Sequence, residues 1–249
     1  MKNKLPLLFV FFAAVIITTI SCSKQSSTAA SSTDYSFSEE FDTVSTAVAK
    51  GWVLANNSKP IGTYGWVQGF FYVSLSHATD SKTGPVNYPT SGGFGANNPS
   101  YSGSDFIMAT ADCGHGTANL SNWLISPATM MKNGDQITFY TRTYADPAVG
   151  ADRLEVRLNT LNSSADVGRD SSSIGGFAKV LLDINPDYAL DSQDGGYPGE
   201  WTKYTATISG LPIAKKSRVA FRYYVPDGGP QGTNSVGVGI DKFQFISAY

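Results

Sequence analysis

Arg153-Leu154-Glu155-Val156-Arg157-Leu158 alternates charge and hydrocarbon at every step. Only an extended backbone sorts such a run, because side chains of a strand point alternately to opposite faces. Leu154, Val156 and Leu158 then share one side and the charges the other. The same period runs through Val219-Ala220-Phe221-Arg222-Tyr223-Tyr224-Val225. Four more runs are rich in strand formers: Gln136–Tyr144, Ala178–Ile184, Trp201–Ile208 and Val236–Ile246. Turn clusters separate them, at Asn133-Gly134-Asp135, Gly175-Gly176, Asp194-Gly195-Gly196 and Asp227-Gly228-Gly229-Pro230. The one helix candidate, Thr43–Ala49, is short and β-branched. With 25 Gly and 12 Pro to make turns, the chain reads as all-β, a sandwich of two mainly antiparallel sheets.

The first 33 residues follow different rules. Lys2 and Lys4 precede an apolar run from Leu5 to Ile20, and Ser21-Cys22 closes it. A basic start, an apolar middle and a small residue before the cut are the parts of a secretory signal. The apolar run is about 16 residues, short of the roughly 20 that span a bilayer. With cysteine at the cut, residues 1–21 resemble a bacterial lipoprotein signal and Cys22 becomes the lipidated N-terminus. Residues 22–33 read as a Ser/Thr/Ala tether without core-forming side chains. The folded domain then runs 34–249. The expected location is the cell envelope, lipid-anchored, with Ser23 favouring the outer membrane. Ser23-Lys24-Gln25-Ser26-Ser27 selects neither the periplasmic nor the surface face.

Composition narrows the function. Two of the 18 basic side chains lie in the leader, so the remainder is net −4 against 20 acidic ones. Nucleic-acid binders need concentrated Lys and Arg. The densest cluster here, Lys215-Lys216-Ser217-Arg218, reads as an exposed turn into a strand. Beyond Cys22 only Cys113 remains, so no disulfide framework is available. Asp112-Cys113-Gly114-His115 fits no zinc spacing, and Cys113 reads as a buried, inert thiol. His77 and His115 are the only histidines, and neither adjoins a nucleophile motif. The reading is therefore non-enzymatic.

Two stretches resist regular structure, Gly84–Ser104 and Pro186–Gly199. Loops this long inside a compact domain are usually functional or disordered. Their Tyr88, Tyr101, Tyr188 and Tyr197, with Phe94, are the candidate ligand-binding rings, able to stack on sugars or meet a protein. Trp52, Trp66, Trp123 and Trp201 read as core, with Gly65–Tyr72 the aromatic run open to partial exposure.

Several segments in order carry a family resemblance. They are Ser38-Glu39-Glu40-Phe41-Asp42, Gly51-Trp52, Asn122-Trp123-Leu124-Ile125-Ser126-Pro127, Asn133–Tyr140, Asp152–Arg157, Leu181–Pro186, Glu200–Tyr204, Arg218–Val225 and Gly239-Ile240-Asp241-Lys242-Phe243. Spanning roughly Phe37 to Phe245, they resemble the choice-of-anchor J domain, related to cleaved-adhesin modules and more distantly to MAM domains. The resemblance implies a jelly-roll β-sandwich on a secreted or surface-anchored protein, with no shared reaction. The long Ser58–Ser104 region departs most from a compact member.

The resemblance also implies a structural Ca2+ near the first and last strands, and the residues supply an argument of their own. In an extended strand Glu40 and Asp42 project together. The alternation of the last strand slips by one residue at Asp241-Lys242, as a β-bulge would make it do. If the terminal strands are neighbours, Glu40, Asp42 and Asp241 converge, with Asp105 a weaker fourth ligand. Carbonyls or waters would complete the shell. Solvated carboxylates on a sheet edge are the alternative. The functional expectation is a lipid-anchored binding module for adhesion or glycan attachment. A lipoprotein that recognises an envelope protein in uptake or assembly is the alternative, and an unrecognised hydrolase the third.

Overall fold

The computed structural model describes residues 33–69, 105–143, 150–190 and 195–248. Asp34–Tyr249 is one compact unit. Its elements are β1 (Phe37–Glu39), α1 (Val44–Ala49), β2 (Val53–Asn56), β3 (Lys59–Ile61), β4 (Val67–Gln68), β5 (Ile107–Thr110), β6 (Gly114–Ile125) and β7 (Thr129–Met131), then β8 (Gln136–Arg142), β9 (Leu154–Leu158), β10 (Lys179–Ile184), β11 (Thr202–Thr207), β12 (Lys215–Ser217), β13 (Val219–Gly228) and β14 (Gly237–Ile246).

Eight of these strands carry the architecture. One sheet has the order β11-β8-β14-β5 and continues to β4; the other has the order β10-β9-β13-β6 and continues to β2. Every pairing is antiparallel. Apart from β9 and β10, which pair within one sheet, these eight strands alternate between the sheets as the chain proceeds, which is the winding of a jelly roll. The expected sandwich is what forms.

The inward residues of both sheets meet in one core. Phe221 of β13 lies 4.8 Å from Phe139 of β8 and 5.9 Å from Phe243 of β14, both edge-on. Trp52 stands edge-on to Phe243 at 5.1 Å and to Phe41 at 5.0 Å. These five rings are at most 2% exposed. Removing such a ring costs about 3–5 kcal/mol.

The terminal strands are neighbours: Phe37 of β1 faces Phe245 of β14, and Glu39 faces Phe243. The phase slip is real. Between Asp241 and Gln244, β14 carries one residue more than the stretch of β8 it opposes, from Tyr140 to Thr138. Lys242 sits at the slip with φ 49°. Ile240 and Phe243 therefore both point into the core.

The sequence misjudged two places. Lys215-Lys216-Ser217 is not an exposed turn but β12, paired with β7, and Ser217 is fully buried. Only the tail of the long strand β6 figured in the sequence reading, as part of the resemblance. Its first half, Gly114-His115-Gly116-Thr117-Ala118-Asn119, is poor in strand formers, and Leu120–Ile125 is buried on both faces, so no alternation shows.

Candidate functional site

A sandwich strand normally gives one face to the core and one to water. β9 gives neither face to water: Leu154, Val156 and Leu158 join the main core, and Glu155 and Arg157 on the outer face are buried as well. Residues 159–178 cross the outer face of this sheet. Val167 and Phe177 of the crossing segment pack on Trp123, Ile125 and Ala220 as a second apolar cluster. The strap also supplies carbonyls. Phe177 O accepts from Arg157 Nη1 at 3.1 Å, and Ser171 O accepts from Arg222 Nη2.

Beneath and beside the strap lies a charged network. Glu155 is the hub, at 4% exposure. It accepts from Arg157 Nε at 2.7 Å and Nη2 at 3.0 Å, from Arg222 Nη1 at 3.1 Å and from Arg153 Nη2 at 3.2 Å. Register produces this meeting, because Arg222 stands directly across from Glu155 on β13 and Asp183 across from it on β10. Arg153 also grips Asp183 with two donors, Nε at 2.9 Å and Nη2 at 2.6 Å. Burial pushes the Glu155 carboxyl up, but the three guanidinium groups outweigh it and hold it below the usual carboxylate range. Burial lowers Arg222 despite Glu155 beside it. Asp183 raises Arg153.

The network opens toward solvent at two tyrosines. The Arg222 guanidinium lies over the Tyr224 ring at 3.8 Å, and Arg153 lies 5.5 Å from the same centroid. Arg153 also stands 5.6 Å from the Tyr188 ring. The Tyr188 hydroxyl accepts from Arg153 Nη1 at 3.0 Å and donates to the Tyr224 carbonyl at 3.2 Å. Tyr188 holds φ 55°, and Asn185, three residues before it, holds φ 58°. A bulky residue seldom adopts that conformation. Asn185 fixes the turn by donating to Asp152 O and Ala189 O and accepting from Ala189 N. Both tyrosines and Asp183 are half-buried. Together they form a rim of two aromatic rings, a carboxylate and a guanidinium.

Two of the candidate rings, Tyr188 and Tyr197, lie among the described residues, and of these the structure brings Tyr188 to this rim. Tyr197 is a correction: it is 3% exposed, belongs to the main core, and its hydroxyl meets Thr141 Oγ1 at 2.6 Å. Its loop folds inward onto β8, so its ring cannot meet a ligand. Tyr88, Phe94, Tyr101 and Cys22 lie outside the described residues. Trp52, Trp66 and Trp123 are buried as expected, while Trp201 is half-buried against Phe106. Cys113 is fully buried, accepts from Asn122 Nδ2 at 2.9 Å, and burial pushes its thiol up to about 12. Tyr224, Arg153 and Asp183 were not read as site residues. The signal was present in Arg153-x-Glu155-x-Arg157 and Arg222-x-Tyr224, whose outward charges exceed what an ordinary strand presents.

Glu40 and Asp42 both face solvent, but not from one extended strand, because β1 ends at Glu39 and Phe41 between them turns at φ 54°; Asp241 is 2% exposed and accepts from its neighbour Lys242 N at 2.7 Å. Asp105 is half-buried. Among the described residues no three His, Cys, Asp or Glu side chains stand together as a metal-holding group. The buried acid of the first strand is instead Glu39, which accepts from Lys50 Nζ at 3.1 Å and Phe41 N at 3.2 Å.

No protein-family model and no curated protein matches the sequence. Among solved structures, the fold is similar to the K1 cleaved adhesin domain of Lys-gingipain from Porphyromonas gingivalis, at 19% identity and a TM-score of 0.49, covering 86% of this chain and 99% of that one. The K3 cleaved adhesin domain of the same protein is similar at 16% identity and 0.48, covering 85% and 98%. The family 11 carbohydrate-binding module from Clostridium thermocellum, solved with a mixed-linked tetrasaccharide, is similar at 10% identity and 0.35, covering 86% and 96%. All three scores fall below 0.5, and the jelly roll is defined by the strand order described above.

Proposed function

We propose that Asp34–Tyr249 is a glycan-binding module held at the cell envelope by lipid on Cys22. One observation carries the binding role: Tyr188 is kept at φ 55° with its hydroxyl wedged between Arg153 and the Tyr224 carbonyl. Such backbone strain costs about 1–3 kcal/mol and persists where the surroundings over-determine it, often at ligand clamps. The chemistry of the rim suits a sugar. Aromatic rings take its CH faces, and Asp183 and Arg153 offer an acceptor and donors to its hydroxyls. The leader and the Ser/Thr/Ala tether support the anchored, extracytoplasmic setting.

The test titrates the full-length chain against an array of soluble polysaccharides, then repeats it with Tyr188→Ala and Tyr224→Ala. Binding that weakens roughly thirtyfold in either variant, as at a hot spot, with folding retained, supports the reading. An array without a binder, or variants that bind like the parent, refutes it. For the anchor, acyl mass on the mature N-terminus and its loss in Cys22→Ala is the expected result, and membrane association unchanged by that substitution overturns it.

A further inference from the structure

Two strands share one edge of β14. β5 pairs with Gly237–Ile240, and β1 pairs with Phe243–Phe245. Between them the edge is interrupted at Asp241-Lys242, where the bulge lies. Phe41, two residues past β1, and Phe106, just before β5, bring their backbone carbonyls to this break. The chain around Phe41 is tightly turned, with φ 54°. The side chain of Gln68 on β4 reaches in: Nε2 donates to Phe41 O at 3.0 Å and to Phe106 O at 3.1 Å, while Oε1 accepts from Val44 N at 2.7 Å. All three contacts agree on one orientation of the amide. The Val44 amide needs an oxygen facing it, and the two carbonyls need donors.

We propose that this junction between the first and last strands is fastened by the Gln68 amide and not by a cation. Convergent carbonyls at a strand break, beside carboxylates of the terminal strands, are the donor set a calcium ion takes. Here an NH2 group bearing partial positive charge stands between two of them. Of the three acids expected to converge on an ion, Glu40 and Asp42 face water, and Asp241 alone is buried at the break, where it accepts from Lys242 N. Gly69 lets β4 approach closely enough. Its N–H donates to Phe106 O at 2.7 Å, and a Cβ there would come within 2.4 Å of the Phe106 ring. Gln68 thereby ties β4, the chain after β1, the start of α1 and the approach to β5 into one corner.

The test is a thermal melt of the full-length chain in EDTA and in excess calcium chloride, with Gln68→Ala and Gln68→Glu alongside. The wild type should melt at the same temperature in both buffers. Q68A should melt several degrees lower. Q68E keeps the shape and the acceptor toward Val44 but turns an oxygen on the two carbonyls, and it too should melt below the wild type. Should Q68A fail to fold, Q68E is read alone. A wild-type melting temperature that falls in EDTA and returns with calcium overturns the proposal in favour of an ion. A Q68E chain that melts with the wild type overturns it as well, since the donors would then do nothing.

Discussion

Glu155→Gln is the sharpest test of the buried network. The substitution preserves shape and one acceptor oxygen but removes the charge that four guanidinium contacts at 2.7–3.2 Å share. Arg222 and Arg157 are 3% and 10% exposed, so neither can turn to water. Breaking a buried pair by removing one partner costs about 3–5 kcal/mol. Because glutamine keeps one oxygen, the lower end applies, about 3 kcal/mol. In a unit of this size each kcal/mol moves the midpoint by about 2–4 °C, so Tm should fall by roughly 6–12 °C. Lys59→Ala is the control. It breaks an ion pair with Asp170 whose side chains are 58% and 56% exposed, and such pairs contribute only about 0–1 kcal/mol. Calorimetry across pH adds a second reading. The folded carboxyl of Glu155 lies below its unfolded value, so its contribution is present above the unfolded value and is lost as pH falls through the folded one. E155Q should lack that acid-side loss. If E155Q melts within about 2 °C of the wild type, or keeps the same acid limb, the hub reasoning is wrong.

Asp152 has the opposite sign. Burial raises its carboxyl despite four donors, from Thr143, Tyr223, Val236 and Gly237. Its stabilising contribution is present below the unfolded value and is lost as pH rises through the folded one. Asp152→Asn should remove that loss and match or exceed the wild type at neutral pH, as urea titrations at several pH values would show. Native Cys113, buried and pushed to about 12, should resist a thiol reagent until the chain is unfolded in denaturant; prompt labelling of the folded protein would contradict its placement. Tyr197→Ala should cost about 3–5 kcal/mol of stability while leaving glycan affinity per folded molecule unchanged, the reverse of Tyr224→Ala. Equal affinity losses in both variants would return Tyr197 to the binding surface.

The sandwich was legible because its inward strand faces are written in period two. β8, β9, β10, β11, β13 and β14 appear where β-branched and aromatic residues alternate between turn glycines. The bulge at Asp241-Lys242 was legible for the same reason: an inserted residue reverses the phase, and Phe243 and Phe245 betray it. The outer-face network was not, because phase says which side a charge takes and not what covers that side. Nothing in Asn162-Ser163-Ser164-Ala165-Asp166 announces a segment that folds back on Trp123. Tyr197 failed as a site residue for a related reason. A Gly- and Pro-rich context marks a loop, but the direction of the loop is decided by what it can bury.

The pairing of β1 with β14 has a mechanical consequence. If the chain is tethered through its N-terminus, any load borne by a bound ligand enters the fold at Phe37. β1 is three residues long and pairs with β14 over those three alone, so a pull on its leading end directed away from β14 opens its few hydrogen bonds one after another. The rings of Phe37, Phe243 and Phe245, the plug of Phe41 and the Glu39–Lys50 ion pair are what slow that peeling. Under tension the first strand is a release point, and the jelly roll behind it can stay closed while the tether lengthens.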